Sequence, residues 1–207
     1  MLLAIDTSAG TGVAVVDRDR GVIAEGSEAD TRRHAEVIGE LIRLVLDDAG
    51  VPIADLSGVV AGMGPGPFTG LRVGIAAANT FALAAGKPVV RVVSHDGVAW
   101  GHYANHGSGP LLVVTDARRR EVYWSAYAGA DEQGLPIRVH GPALSRPDDL
   151  PQEYSTFTRV DAAEVSAGSL GMLAEGLFLH GRHFEGPEPL YLRAPDAVVP
   201  GPQKRVS

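Results

Sequence analysis

The chain has 207 residues, 45% apolar and 21% charged, a balance that excludes a disordered or collagen-like polymer. Its 25 acidic against 18 basic side chains leave a formal charge of −7, which disfavours tight nucleic-acid binding by this chain alone. It has no cysteine, so disulfides, thiolate metal sites and cysteine nucleophiles are excluded.

The length fits one domain or two small ones. The N-terminus, Met1-Leu2-Leu3-Ala4-Ile5-Asp6, lacks the basic segment and cleavage site of a signal peptide. The longest weakly charged run, 73–86, is too short to span a bilayer. A cytoplasmic protein with no membrane contact is expected.

The first hundred residues read as three closely spaced strands, then alternating helix and strand. Leu2–Asp6 is a short apolar run ending in a carboxylate, and Thr7-Ser8-Ala9-Gly10-Thr11 is a turn of small residues. Gly12–Asp17 resumes as a strand, and the turn Arg18–Gly21 leads into Val22–Ala29, so the three form antiparallel hairpins. From His34 to Ala49 the period changes. Val37, Ile38, Leu41, Val45 and Ala49 make a helical stripe, with Thr31 as its expected N-cap and Gly50 and Pro52 as its stop. Val59–Gly62 is a buried strand, and Gly64-Pro65-Gly66-Pro67 turns the chain into a helix over Phe68–Ala85. A strand over Val89–Val93 and a helix over Asp96–Tyr103 follow.

The second half begins the same way. Leu111–Thr115 is a strand ending in Asp116, Glu121–Tyr127 pairs with it, and Ile137–Leu144 gives a third strand, with helical or strand-like segments to about His180. A hairpin, a third strand and α/β alternation, occurring twice, predict an α/β fold of the actin-like (ribonuclease-H-like, ASKHA) kind. Its two subdomains, each a mixed sheet opening on hairpin strands, are expected at 1–107 and 108–194, the second smaller and trimmed. A flexible tail with three prolines and a Lys-Arg pair is expected over 195–207.

Four groups of residues invite chemistry. Asp6-Thr7-Ser8 closes a hairpin where backbone N–H groups and hydroxyls can cradle an anion, and reads equally as an Asx-type turn. A nucleotide-handling protein of this plan needs a second such hairpin. Here that turn is Asp116-Ala117-Arg118-Arg119-Arg120, which has no glycine to let backbone approach phosphate, although its arginines attract anions. The loop Gly62–Gly74 is not a P-loop, because no Lys-Ser/Thr follows its glycines. Gly70, Gly74 and Ala78, four residues apart, make a face for close packing inside the core or against a partner helix. His102 and His106 share one helix face, but Tyr103 stands where a metallopeptidase has Glu, and no third ligand is evident. No metal site is expected.

Leu3-Ala4-Ile5-Asp6-Thr7-Ser8, Gly64-Pro65-Gly66-Pro67-Phe68-Thr69-Gly70-Leu71-Arg72-Val73-Gly74, Asp116-Ala117-Arg118 with Glu121-Val122-Tyr123, and Pro189-Leu190-Tyr191-Leu192-Arg193 resemble, in matching order, the bacterial TsaB (YeaZ) family of threonylcarbamoyladenosine biosynthesis proteins. Pro67 departs from the family pattern, which has Ser there. The resemblance implies a non-catalytic, actin-like scaffold that supports a larger catalytic subunit, TsaD, with the ATPase TsaE, in N6-threonylcarbamoyl modification of adenosine 37 of tRNAs reading codons that start with A. It implies tRNA contact only through the complex and homodimers when the partner is absent. No catalytic residue and no cofactor of its own are implied, apart from structural ATP or ADP at the complex. The partner is expected on the first two helices, at His34, Val37, Ile38, Leu41, Val45, Leu71, Gly74, Ala78 and Phe81. A vestigial nucleotide or anion site is expected at Asp6, Thr7, Ser8, Asp116 and Arg118. An actin-fold small-molecule kinase or ATPase, and a metallopeptidase, are the alternative readings.

Overall fold

The structure is a computed structural model, and it describes residues 1–193. Two sheets carry the fold. Strands β1 (Leu2–Asp6), β2 (Thr11–Asp17), β3 (Gly21–Glu28), β4 (Gly58–Gly62) and β5 (Val89–Val92) form the first, in the order β3-β2-β1-β4-β5. Strands β6 (Leu111–Asp116), β7 (Val122–Ala130), β8 (Pro136–Ser145) and β9 (Thr158–Asp161) form the second, in the order β8-β7-β6-β9. Four helices pack on them: α1 (His34–Ala49), α2 (Phe68–Ala85), α3 (Ser94–Ala104) and α4 (Ala167–Leu179).

Alternation along the first sheet decides which helix covers which face. Leu3, Ile5, Val13, Val15, Val59 and Ala61 point to one side, where Ile38 and Val45 of α1 and Ala78 and Ala82 of α2 cover them. Ala4, Ala14, Val16, Val60 and Val92 point to the other, where Leu170, Leu173 and Ala174 of α4 cover them. Small residues permit that approach: a Cβ on Gly171 would stand 2.8 Å from the Val16 side chain. A division at 107/108 therefore separates the two sheets but not the two cores, because α4 crosses back onto the first sheet.

The second sheet is covered unevenly. Leu111, Val113 and Tyr127 pack on Ala99 of α3, while Leu112, Val114, Trp124 and Ala126 face the other way. Among the described residues, no helix covers that outer face. Leu150, Tyr154 and Phe157, from a connection holding only short 3-10 turns, cover it instead.

Three expectations need correction. Thr31 does not cap α1: the residue before the helix is Arg33, which makes no side-chain cap, and the Thr31 hydroxyl instead accepts from Arg118. The α3 helix begins at Ser94 rather than Asp96, because Ser94 and His95 are fixed by buried hydrogen bonds to both sheets. The apolar run at 73–86 belongs to an 18-residue helix, α2, whose mean hydropathy of 1.2 makes it long and apolar enough to cross a membrane. Here Gly70, Leu71, Gly74, Ala78 and Ala82 of that helix are buried within the fold. The tail expected at 195–207 lies outside the described residues.

Candidate functional site

At the end of β1, Asp6 is 1% exposed and turned inward. Its Oδ2 accepts from the Ser94 hydroxyl at 2.5 Å; its Oδ1 accepts from the Ser8 hydroxyl at 2.5 Å and from the Ser8 N–H at 2.8 Å. The Ser94 hydroxyl in turn accepts from the Gly64 N–H at 3.0 Å. Burial raises the Asp6 pKa above the usual carboxylate range, against the opposing pull of the hydrogen bonds from Ser8 and Ser94. Thr7 is likewise sealed: its Oγ1 donates to the Gly70 carbonyl at 2.7 Å and accepts from the Gly74 N–H at 3.0 Å.

The glycines of the 62–74 loop exist for these contacts. A Cβ on Gly62 would fall 1.8 Å from Asp6 Oδ2, on Gly66 2.8 Å from the Ser8 Cα, and on Gly74 2.2 Å from Thr7 Oγ1. The loop is thus seated on the β1–β2 turn. The residues present do not fit a nucleotide there, because the backbone of Gly66 occupies the approach to the turn and the carboxylate that would face phosphate or its metal is spent inside the protein.

The opposite hairpin is built differently. Asp116 is exposed, and its Oδ1 accepts from the Arg118 N–H at 2.9 Å. Arg118, Arg119 and Arg120 all have left-handed backbone, with φ of 65°, 54° and 62°. Non-glycine residues rarely adopt that region, since Cβ crowds the following carbonyl. The turn carries Arg118 across the cleft to Thr31, while Arg193 donates to the Ala117 carbonyl at 3.1 Å and pairs with Glu121. Two cavities flank the start of α2 at Pro67, Phe68 and Thr69. One, of about 380 Å³, is lined by Ser8, Thr31, His34 and Arg118 among others; the second, of about 340 Å³, by Phe68, Arg118, Arg119, Tyr123, Tyr191 and Arg193 among others. Of the five residues expected to form an anion site, only Ser8 and Arg118 meet at one cavity.

The helix face also departs from expectation. His34, Ile38, Val45, Leu71, Gly74 and Ala78 are buried in the protein itself, and Val37, Leu41 and Phe81 are half-buried. An apolar stripe at helical spacing marks the side turned to the core, so six of the nine residues expected at a partner surface are covered within the chain itself. His34 Nδ1 lies 2.7 Å from the Thr11 hydroxyl, and burial lowers its pKa. The outward side of α1 carries Gly39, Glu40, Arg43 and Leu44; that of α2 carries Thr69, Arg72, Ala76, Thr80 and Leu83. Leu83 is 84% exposed. It stands out of step with the buried stripe of α2.

Sequence reasoning missed the start of α3, which joins the two sheets. His95 is fully buried, with Nδ1 2.8 Å from the Ser125 hydroxyl and Nε2 2.9 Å from the Thr115 hydroxyl; burial pushes its pKa down to about 3. Asp96 accepts from the Tyr127 hydroxyl at 2.7 Å and lies 3.4 Å from Arg138; burial pushes its pKa up to about 6. His102 and His106 stay apart from any such cluster. Among the described residues, no three His, Asp or Glu side chains gather as metal ligands.

Residues 15–150 match the family described as TsaD: tRNA N6-adenosine threonylcarbamoyltransferase. An uncharacterized protein of Mycobacterium tuberculosis is 37% identical over 95% of this chain and 93% of its own. The tRNA threonylcarbamoyladenosine biosynthesis protein TsaB of Escherichia coli is 34% identical over 71% of this chain and 63% of its own. Among solved structures, YeaZ from Pseudomonas aeruginosa superposes with a TM-score of 0.75 at 26% identity, covering 92% of this chain and 99% of that one. The actin-like fold is shared with it. On these matches the chain belongs to the TsaD sequence family and, within it, to the TsaB (YeaZ) group.

Proposed function

We propose that this chain serves tRNA threonylcarbamoyladenosine formation as a non-catalytic scaffold that binds and supports the TsaD catalytic subunit. Its kinship with TsaB proteins supports the pathway. The observation that carries the scaffold role is the inward-turned Asp6, sealed by Ser8 and Ser94. A phosphotransfer enzyme of this fold would need that carboxylate in the cleft, so the kinase reading has no feature in its favour. The metallopeptidase reading lacks a ligand cluster among the described residues.

The partner surface in this reading is the outward side of α1 and α2, centred on Leu44, Ala76, Thr80 and Leu83, with Val37, Leu41 and Phe81 reaching its margin. Exposed leucines on adjoining helices are costly to leave in water, and the same surface closes a homodimer when TsaD is absent. TsaE joins the assembled pair, and tRNA is engaged through the complex. The test is co-elution of the purified chain with TsaD on a sizing column. Wild type is expected to co-elute, and Leu83→Glu to lose the complex while keeping its fold. A Leu83→Glu variant that co-elutes as wild type removes this surface from the reading.

A further inference from the structure

An apolar groove lies at the end of the first sheet opposite Asp6. Strands β1, β4 and β5 run parallel, and Asp6 and the loop after β4 stand at their C-terminal ends. At their starts, Leu2, Gly58 and Val90 meet the last turns of α4 and, with Pro88 and Phe184, line a groove of about 210 Å³. It sits on the α4 face of the sheet, away from α1 and α2, so neither the scaffold surface nor the cleft between the hairpins uses it.

Apart from Glu175 and Ser57, the side chains lining the groove are apolar, and Phe178 forms its open side. Phe178 is 73% exposed and the adjacent Leu179 is 53% exposed, so α4 ends in aromatic and aliphatic surface left in water. Sites that enclose a small molecule hold roughly 300–1,000 Å³. This groove is smaller and continues onto Phe178, a shape suited to side chains of a segment lying across it.

The lining carboxylate adds an independent observation. Glu175 is half-buried, and among the described residues it makes no hydrogen bond and no ion pair. The two cations that act on it are held by others: the Met1 ammonium lies 3.8 Å from Asp17, and Arg18 pairs with Asp19 at 3.0 Å. Burial raises the Glu175 pKa, as for a carboxylate set in an apolar wall without a close counter-charge. A cation carried in on an apolar segment would supply that charge and cover Phe178 together. The net charge of −7 also favours the approach of a basic segment.

We infer that this groove docks an apolar peptide segment of a protein partner, with Phe178 packing on its aliphatic side chains and Glu175 pairing with one Lys or Arg.

The test is selection of displayed random peptides on the full chain, which needs neither TsaD nor tRNA and so stands apart from the scaffold reading. Peptides that share an apolar pattern around one Lys or Arg are expected to be enriched. A labelled peptide of that pattern, read by fluorescence anisotropy, should bind at least about tenfold more weakly to Phe178→Ala and at least about fivefold more weakly to Glu175→Gln, with neither variant losing melting temperature. Selection on Glu175→Lys should exchange the basic residue of the pattern for Asp or Glu. No enriched pattern, an apolar pattern without a basic residue, or binding that survives both substitutions would each overturn the assignment. So would a Phe178→Ala chain that elutes as a smaller species than wild type on a sizing column, because a second copy would then be the occupant.

Discussion

The Ser94 hydroxyl donates a 2.5 Å hydrogen bond to Asp6 Oδ2 and so ties the first turn of α3 to the end of β1. Asp6 is thereby a structural strut. Replacing it with Ala strands the Ser8 and Ser94 hydroxyls in the interior, at an expected cost of about 2–4 kcal/mol. Asp6→Asn keeps the volume and one acceptor, and is expected to cost about 1 kcal/mol. Urea unfolding of the two variants checks the order, and an Asp6→Ala protein as stable as wild type would contradict it.

The next two residues of α3 give stability opposite pH dependences. His95 titrates near 3 in the folded chain against 6.5 when free, so its contribution is present above pH 6.5 and lost as pH falls toward 3. Asp96 titrates near 6 against 3.8, so its contribution is full below pH 3.8 and lost as pH rises through 6. Compared with wild type, Asp96→Asn should therefore lose the decline between pH 3.8 and about 6, and His95→Gln the decline on the acid side. Urea midpoints measured from pH 4 to pH 8 read both; curves parallel to wild type would refute the assignment.

Gly74 and Leu83 are a packed and an exposed position within one helix. A Cβ at Gly74 would stand 2.2 Å from Thr7 Oγ1, so Gly74→Ala is expected to destabilise by about 1–3 kcal/mol. Leu83 is 84% exposed, so Leu83→Glu should change stability by no more than about 0.5 kcal/mol. Thermal melts of the two variants test this, and a Gly74→Ala protein that melts with wild type would show the loop to be looser than described.

Much of this was legible in the sequence because period 2 and period 3.6 act locally. The β1–β2–β3 hairpins, helix Phe68–Ala85 and the strand ending at Asp116 follow from alternation, glycine and proline. The fate of Asp6 was not legible. Whether a carboxylate faces a cleft or the core is fixed by Ser94, 88 positions away, and no local pattern encodes that pairing. The same holds for α4, whose return to the first sheet depends on contacts of Leu170 and Gly171 with distant strands. Which residues of α1 and α2 stay exposed was not legible for another reason: burial sets the apolar period, so the stripe with Ile38, Val45, Ala78 and Ala82 marks the side turned to the core.

The arginine hairpin offers a test by stabilisation. Arg120 holds φ of 62° and is not among the residues lining the 340 Å³ cavity. Removing its Cβ relieves crowding in the left-handed region, so Arg120→Gly is expected to gain about 1 kcal/mol. A rise in melting temperature checks this; a fall would mean that the side chain contributes more than the strain costs.

The most direct measurement is a reconstituted transfer assay. Purified TsaD, TsaE, threonylcarbamoyl-adenylate and unmodified tRNA are combined with and without this chain, and modified adenosine is read by mass spectrometry. The account predicts modification only when the chain is present, nothing from the chain alone, and loss of the stimulation with Leu83→Glu. Modification that proceeds equally without the chain would contradict it.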